Sequence, residues 1–559
     1  MLKQLMGWFL PTSAHKRSKQ VTSNRTKPTD ISNTQNSPSQ DESTSTSLND
    51  RKSSIIKGWC DRLKAKYKNR ETSVADEDST DYSTNGTTVT NNSEYEEDED
   101  HPRCDWKTID AIPASSYEKL VSHTCTFSGP LKQLKRFAYK KGTYNAVSFI
   151  GVLTRDKYDS YVVRVPGHAT VEHWTAQDAY MLEREVQTIE YIRKNTSVPV
   201  PQIYSHSSWF NNRLHHPFIM MKRLPGKSAY SIWFDDDFGE ADPEVNFRFG
   251  DLPSHAVEKK RINFLRSLAR IMTEINALSF DQIGIPVIPL DCSAPPSIGH
   301  TYHWDNTSSD VSTKRPALSS TRDLIRTRPD SLCTPSLFSN DSKAHNRLLG
   351  TLKLLDIIFS QPIFHPTPSA PETFTLHHAD LDLQNILVDD MGNITGIIDW
   401  DRCTTAPRCI GASSAPLFLQ KDWMPQYLNN LDTSPYMAFT THRYRQMYAA
   451  ALAEQGCADA QFTSKSAMYQ AGVLALMDHE GGNVTDFLEK VMRSIPQFRA
   501  DVDECLVALG MGWPAGEQVL EKEVRKLFEP EMPDMDVLRE ADVEIAVVEW
   551  MLAFEYGIE

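Results

Sequence analysis

The feature that most constrains the fold is a hairpin pattern late in the chain, within Leu376–Asp401. Two apolar runs, Ile386–Val388 and Ile394–Ile398, are separated by the turn-forming residues Asp-Met-Gly-Asn at 390–393. This pattern is typical of two antiparallel strands joined by a tight turn. Because a hairpin returns its two ends to one place, polar residues that flank the strands should converge.

Three such residues flank this hairpin. Asp380 and Asn385, five positions apart, precede the first strand, and Asp399 follows the second. The catalytic-loop signature of kinases has this Asp–Asn spacing, followed by a metal-binding Asp. Phosphoryl transfer needs a carboxylate to orient the attacking hydroxyl and hard oxygen ligands for Mg²⁺. The spacing therefore indicates phosphoryl-transfer chemistry.

Two other interpretations of this segment stay open. His377, His378, Asp380 and Asp382 could together bind a transition metal, although their spacing fits no common ligand pattern and leaves Asn385 unused. Alternatively, His378 is a hydrogen-bonded buried residue and the acids are ordinary turn residues.

Upstream of this segment, residues 106–224 have the texture of a small sheet with one helix. Val147–Val152, Tyr161–Val165 and Phe218–Arg223 are predicted as strands. Ala176–Lys194 has apolar residues at helical spacing and is predicted as an amphipathic helix.

The rest of the chain divides by composition. Residues 225–559 are mostly helical in pattern, with a Pro- and Ser-rich loop insertion predicted at 285–340. Residues 1–105 are dominated by polar and charged residues and are predicted to be a disordered tail. Within that tail, 55–67 has a helical apolar pattern with a basic face, either a transient helix or a weak partner-binding or membrane-surface segment.

Composition also limits partners and location. A net charge of −15 argues against broad nucleic-acid binding, and no apolar run reaches the roughly 18 residues of a membrane span. The nine cysteines are scattered, which favours a reducing compartment and a cytoplasmic location. The basic, acid-poor N-terminus leaves a mitochondrial location as the alternative.

The hairpin segment, HHADLDLQNILVDDMGNITGIIDWD, resembles the phosphotransferase family that includes aminoglycoside and choline kinases, and in particular its large fungal branch. The segments VEHWTAQDAYMLEREVQTIEYIRKNTSVPVPQIY and PRCIGASSAPLFLQKDW resemble that branch as well. The resemblance runs from about Val121 to the C-terminal helices. It implies an α+β, bilobal protein-kinase-like fold, with a small antiparallel-sheet N-lobe at 106–224 and a larger helical C-lobe at 225–559 containing the catalytic loop 376–401.

The resemblance also implies roles for the residues of the catalytic segment. Asp380 corresponds to the catalytic base, and Asn385 and Asp399 correspond to Mg²⁺ ligands. Asp382 and Asp401 lie where accessory acids occur, and Asp401 either touches a second metal or braces the loop. His378 belongs to the catalytic loop, where a role in bracing the Asp399 segment is expected.

For the nucleotide, ATP, the resemblance points to the first lobe. The phosphate-covering loop corresponds to Gly142, Tyr144 and Asn145, for which a plain β-turn is the other interpretation. Arg164 stands where the family's phosphate-binding lysine is expected, and Glu185 is its ion-pair partner or half of an ordinary surface pair. The backbone of Met221 and Arg223, in the segment joining the lobes, should contact adenine.

The expected function is therefore an ATP- and Mg²⁺-dependent kinase that phosphorylates an alcohol group of a small molecule. Because arginine and lysine are not equivalent at a phosphate site, Arg164 supports an alternative. In that alternative the protein is a pseudokinase-like binding or scaffold protein, with a mitochondrial maintenance role. The acceptor is not specified by the sequence.

Overall fold

The structure is a computed structural model that describes residues 103–127, 129–155, 157–234, 253–290, 294–304, 312–326, 342–365, 371–423, 434–477, 482–496 and 498–556. The segment 55–67, and with it the predicted tail up to residue 102, lies outside the described residues. Within the described ranges, no helix combines the length and apolar character needed to cross a bilayer.

Residues 103–105, which the sequence places at the end of the tail, make contacts with the first lobe. Arg103 donates to the Asp178 carboxylate at 2.5 Å and to the His173 carbonyl oxygen at 2.8 Å. Asp105 accepts a hydrogen bond from the Thr108 backbone N–H at 3.0 Å and caps the first helix. A buried carboxylate partner and a helix cap fix these residues despite their polar composition.

The first lobe is built on a five-stranded antiparallel sheet of Leu131–Lys141 (β1), Asn145–Thr154 (β2), Tyr158–Pro166 (β3), Ile203–Ser207 (β4) and Phe218–Lys222 (β5). The strand order is β1-β2-β3-β5-β4. The three predicted strands and the predicted helix are confirmed, while β1 and β4 were not predicted. Apolar side chains alternate along β2 and β3, and one face packs against the helices. The helices of this lobe are Trp106–Asp110 (α1), Ala114–Thr124 (α2) and Ala176–Asn195 (α3).

The helix α3 contributes to the cores of both lobes. It begins at a capping box in which Thr175 and Asp178 bind each other's backbone N–H groups. Its first half places Leu182 and Val186 against the sheet. Its second half places Ile189 and Ile192 in the core of the helical lobe.

The chain enters the second lobe through a short strand, β6 (Lys227–Ser228), that pairs with the hairpin strand containing Val388. Gly226 precedes it with φ = +100°, and a β-carbon there would lie 2.7 Å from the Val388 carbonyl oxygen. Glycine is therefore required at this entry.

The second lobe is mainly helical and has two apolar cores. One core surrounds the helix His255–Asn276 and the hairpin, and the other surrounds the helix Ser342–Phe359. The α+β, two-lobed architecture expected from the sequence is confirmed. Its helices are Tyr230–Trp233 (α4), His255–Asn276 (α5), Thr321–Arg326 (α6), Ser342–Phe359 (α7), Ser434–Glu454 (α8), Ala460–Thr463 (α9), Ser466–Met477 (α10), Gly482–Ser494 (α11), Val502–Gly510 (α12), Pro514–Phe528 (α13) and Asp536–Tyr556 (α14).

The predicted loop insertion at 285–340 contains regular structure. Two short antiparallel strand pairs form there. Ile285–Val287 (β7) pairs with Ser297–Gly299 (β8), and Thr301–Trp304 (β9) pairs with Ser312–Arg315 (β10). The helix α6 follows them. Just outside β7, Ile283 and Leu318 exchange backbone hydrogen bonds at 2.8 and 2.9 Å. Strands of three or four residues carry too little periodicity to be recognised in sequence.

Candidate functional site

The site is organised by the predicted hairpin, which the structure confirms as β12 (Ile386–Val388) and β13 (Ile394–Ile397). Ile386 pairs with Ile397, and both are fully buried, which anchors the hairpin in the helical-lobe core. A second antiparallel pair, β11 (Phe374–His377) with β14 (Thr404–Pro407), closes the segment on either side. The loops between these four strands therefore meet at one end of the hairpin.

The Asp380 carboxylate is oriented by two neighbouring amides. Asn385 Nδ2 donates to Asp380 Oδ2 and to the Asp380 carbonyl oxygen, both at 2.8 Å. Gln384 Nε2 donates to the same Oδ2 at 3.1 Å. Because the nitrogen of the Asn385 amide is directed at Asp380, its oxygen lies on the opposite side and can accept or ligate. The contribution of Gln384 was not predicted.

His378 braces the loop through both ring nitrogens, in agreement with the bracing role expected for it. The Asp380 backbone N–H donates to His378 Nδ1 at 3.2 Å, so the ring proton resides on Nε2, which donates to the Ile398 carbonyl oxygen at 3.0 Å. Burial lowers the pKa of His378 and keeps the ring neutral. The ring thereby ties the Asp380 loop to the segment that carries Asp399.

The transition-metal interpretation is excluded by the same contacts, since the lone pair of His378 Nδ1 is occupied by the Asp380 N–H. Asp382 has a local role: its carboxylate accepts a hydrogen bond from the Leu383 backbone N–H at 2.8 Å. In the part of the chain that the structure describes, no group of three or more His, Cys, Asp or Glu residues is arranged around a metal position.

Asp399 follows β13 with an unusual backbone conformation, φ = +62°. It is held there by its neighbours: Ile398 donates its N–H to the Asn385 carbonyl oxygen at 3.0 Å, and the buried Trp400 donates its indole N–H to the Ile397 carbonyl oxygen at 3.1 Å. A non-glycine residue at positive φ is strained and marks a constrained site. The side chains of Asp399 and Asp401 remain 37% and 44% exposed.

Asn385, Asp399 and Asp401 form the predicted metal-binding set. Their available donors are an amide oxygen and carboxylate oxygens, the ligand type that Mg²⁺ prefers. Asn385 and Asp399 are linked through the Asn385–Ile398 backbone hydrogen bond. The chemistry of this donor set fits a hard divalent cation.

Arg164 of β3 joins the sheet to this set. Its Nη1 donates to Asp399 Oδ1 at 2.7 Å, and its Nη2 forms a short ion pair with Glu185 of α3. The side chains of Arg164 and Glu185 are only 11% and 3% exposed, so the predicted pair is confirmed and the surface-pair alternative is wrong. Burial raises the pKa of Glu185 to about 7, although the guanidinium opposes this shift.

The predicted phosphate-covering loop lies at the same end of the sheet as Arg164. Gly142 donates its N–H to the Asn145 carbonyl oxygen at 2.9 Å, which closes the turn between β1 and β2. Tyr144 is exposed at the tip of this turn. Val147, two residues beyond Asn145, pairs with Arg164. The turn is therefore that of a β-hairpin, and it lies beside the strand position of Arg164.

One face of the sheet was missed by the sequence interpretation. Phe149 pairs with Val162, which in turn pairs with Met221, and Val147 pairs with Arg164. Residues paired directly across strands share a face, and Arg164 on this face reaches Asp399. Val147, Phe149 and Val162 are all partly exposed, so this face presents apolar groups toward the hairpin. The two-residue alternation along β2 and β3 was the signal for it.

The adenine contact through the backbone of Arg223 stays a prediction. Its N–H already donates to the Ser160 carbonyl oxygen at 3.1 Å. Its guanidinium lies 5.6 Å and 5.7 Å from the ring centres of Phe137 and Phe149. Met221, the other predicted contact, is buried in the sheet opposite Val162.

Known proteins with similar sequences or structures were compared with the chain. The sequence model of the phosphotransferase enzyme family matches residues 343–430. The chain is 26% identical over 252 residues, 43% of its length, to clavilactone A biosynthesis cluster protein Y of Ampulloclitocybe clavipes. It covers 54% of the length of that protein, about half.

Solved structures of similar proteins have low identity to the chain. A thermostable mutant of an aminoglycoside phosphotransferase, in a ternary complex with AMP-PNP and hygromycin B, is 15% identical with a TM-score of 0.34, over 72% of this chain and all of that one. A macrolide 2'-phosphotransferase type I is 14% identical with a TM-score of 0.31, over 69% and 97% of the two chains. An ethanolamine kinase of Plasmodium vivax is 11% identical with a TM-score of 0.26, over 69% and 88%.

The family match spans Asp380, Asn385, Asp399 and Asp401, the residues whose contacts define the site. Over residues 343–430 the chain is therefore similar to the phosphotransferase enzyme family.

Proposed function

We propose that the protein transfers the terminal phosphoryl group of ATP to a hydroxyl group of a small molecule, in a Mg²⁺-dependent reaction. The observation that carries this proposal is the network joining Asp380, Asn385 and Asp399 through His378 and Ile398. This network supports two of the groups that phosphoryl transfer needs: a carboxylate that orients the acceptor hydroxyl, and nearby oxygen atoms that can ligate a metal ion.

Asp380 is the group that handles the acceptor hydroxyl. Asn385 and Gln384 both donate to its Oδ2, which fixes the plane of the carboxylate. A carboxylate so oriented can accept a hydrogen bond from the acceptor hydroxyl and take its proton as the new P–O bond forms. The bond from the γ-phosphorus to the bridging oxygen breaks in the same transfer, leaving ADP.

Asn385, Asp399 and Asp401 are the residues that would hold Mg²⁺. When bound, the ion neutralises charge on the nucleotide phosphates. The amide nitrogen of Asn385 donates to Asp380 and orients its carboxylate. The amide oxygen is then available to ligate the metal.

Arg164 is the group we assign to the nucleotide phosphates. It is buried, it is held by Glu185, and it lies in register with Val147 beside the β1–β2 turn. A guanidinium presents several N–H donors in one plane, so it can keep Glu185 on one edge while the other edge contacts a second oxyanion. In this structure that second oxyanion is Asp399.

The test uses the full-length protein. ATP should raise the thermal midpoint only with Mg²⁺ present, and a panel of hydroxylated metabolites with labelled ATP should reveal an acceptor. Asp380→Asn should lower turnover by about 10²- to 10⁴-fold. The matched control is Asp390→Asn in the hairpin turn, which is exposed and should leave turnover unchanged. Absence of nucleotide binding would contradict the proposal, and full turnover in Asp380→Asn would contradict the assigned base.

Arg164 also motivates a second candidate, a pseudokinase-like binding protein with little turnover. Arg164→Lys separates the two. If lysine increases ATP affinity and turnover, the natural arginine limits catalysis and the binding role is favoured. If lysine decreases both, arginine is a functional part of the nucleotide site, since a single ammonium cannot reproduce the planar contacts of a guanidinium.

A further inference from the structure

Lys140 is an exposed cation whose charge is not balanced by the described residues around it. It lies near the end of β1, two residues before Gly142 of the β1–β2 turn. Its side chain is exposed, and no carboxylate among the described residues lies within ion-pair distance of it. A lysine in that state can bind an anion without first losing an ion pair.

The strand register places Lys140 beside Arg164. Lys140 pairs with Val147 of β2, and Val147 pairs with Arg164 of β3. Residues paired directly across strands lie on one face of a sheet, so Lys140 and Arg164 share a face. Two strand spacings separate their backbones by about 10 Å. Both side chains are long, so an anion bound over Val147 can contact both cations.

The next lysine, Lys141, lies on the opposite face. It pairs with Ala146, which is buried in the core between the sheet and the helices. Its Nζ lies 5.1 Å from the centre of the Trp106 ring. Lys140 and Lys141 are therefore adjacent in sequence but separated by the sheet, which makes Lys141 a matched control for Lys140.

The turn that follows Lys140 is attached to the end of the strand that carries Arg164. The Gly142 N–H donates to the Asn145 carbonyl oxygen at 2.9 Å, and the Gly167 N–H donates to the Tyr144 carbonyl oxygen at 2.7 Å. Gly167 directly follows β3. These hydrogen bonds hold the end of β1 in a defined position relative to Arg164.

Arg164 alone supplies little net positive charge to a nucleotide. Its guanidinium contacts two carboxylates, those of Glu185 and Asp399, and Asp401 follows two residues later. The phosphates of ATP carry several negative charges. One guanidinium that is already paired with two carboxylates leaves much of that charge unbalanced, even beside Mg²⁺. Lys140 supplies a further positive charge on the same face.

We propose that Lys140 binds the phosphates of the nucleotide as a second cation beside Arg164. The inference rests on the proposed function, because it adds a residue to the same nucleotide site. A lysine ammonium is a point charge on a flexible stem, whereas the guanidinium of Arg164 is held by two carboxylates. Lys140 can therefore adjust to the positions of the phosphates while Arg164 stays in place.

Direct contact is tested by amine acetylation of the full-length protein, with mass spectrometry measuring the rate at each lysine. Mg²⁺ and ATP together should slow acetylation of Lys140 several-fold and leave Lys141 and Lys132 unchanged. Adenosine, which has no phosphate, should protect none of them. A lysine that only contacts solvent would react at the same rate in the free protein, with ATP and with adenosine, and that result would overturn the proposal.

Substitution measures how much the contact contributes to binding. Lys140→Met should weaken ATP binding by roughly 3- to 10-fold, the range expected for an exposed contact between a cation and an anion. Lys140→Arg keeps the charge and should retain most of the affinity. Lys141→Met should bind ATP as the wild type does. Calorimetric titration with adenosine should give the same affinity in all four proteins, because only the phosphate contact is changed.

The outcomes distinguish this inference from the proposed function. If the wild type binds ATP and Lys140→Met binds it equally well, the assignment of Lys140 is overturned and the proposed function stands. An equal loss of ATP affinity in Lys141→Met, or an equal loss of adenosine affinity in Lys140→Met, would indicate an effect on the sheet itself and would also overturn the assignment. If the wild type binds no nucleotide, the proposed function fails, and the assignment of Lys140 fails with it.

Discussion

Arg164 donates from Nη1 to Asp399 Oδ1 across 2.7 Å, and this contact connects the sheet lobe to the end of the hairpin. The other edge of the same guanidinium is paired with Glu185. Three elements, β3, α3 and the segment after β13, thus depend on one side chain. Its substitution should affect both stability and nucleotide binding.

Replacing Arg164 with methionine should lower the free energy of unfolding by about 3–5 kcal/mol, because a buried carboxylate, Glu185, is left without its partner. Denaturant-induced unfolding measures this cost. The double variant Arg164→Met/Glu185→Gln should recover a substantial part of it, since no unpaired charge then remains. Additive costs in the double variant would show that the two residues are not coupled.

Asn385→Ala and Gln384→Ala form a matched pair at the Asp380 carboxylate. Asn385→Ala removes two contacts to Asp380 and the amide oxygen proposed as a metal ligand, so kcat should fall by at least about 10²-fold. Gln384→Ala removes one exposed hydrogen bond and should lower kcat by no more than about 10-fold. Equal losses in steady-state kinetics would contradict the dual role assigned to Asn385.

His378→Ala should lower both stability and kcat, because two buried hydrogen bonds are lost at once, at about 1–3 kcal/mol for each group left unsatisfied. His378→Asn can donate and accept at similar positions and should restore part of both. The pH profile of kcat/KM should keep its shape in His378→Asn. A lost limb in that profile would instead identify the imidazole as an acid or base.

The free energy of unfolding should decrease as the pH falls from about 6.5 to 4, because burial lowers the pKa of His377 to about 4. In this window the unfolded chain binds a proton at His377 that the folded protein excludes, which costs up to about 1.4 kcal/mol per pH unit. Denaturant unfolding at several pH values measures the slope. In His377→Gln the slope should be shallower, and an unchanged slope would contradict this origin.

The catalytic segment was predictable from sequence because its signals are local and strong. Asp380, Asn385, the hairpin and Asp399 lie within 20 positions, and a hairpin at this spacing brings the residues that flank it together. The pair between Arg164 and Glu185 was implied by the resemblance to the phosphotransferase family and not by the strand and helix patterns alone.

Other features were hidden for identifiable physical reasons. The strand β1 is rich in lysine and lacks the apolar alternation of a half-buried strand, because it lies at the edge of the sheet. The use of the Arg223 N–H by Ser160 depends on strand register, which a sequence does not state. The role of His378 depends on hydrogen bonds to the backbone of Asp380 and Ile398. Because every residue type has the same backbone carbonyl, and nearly all have an N–H, such contacts cannot be recognised from the sequence.

The division of α3 between two cores has a mechanical consequence. Glu185 lies one turn before Ile189 and two turns before Ile192, about 6 Å and 10 Å along the helix axis. Because those two isoleucines are embedded in the helical lobe, α3 cannot swing with the sheet without disrupting that lobe's interior. The movement available to Glu185, and to the Arg164 guanidinium paired with it, is thus limited by the packing of the helical lobe.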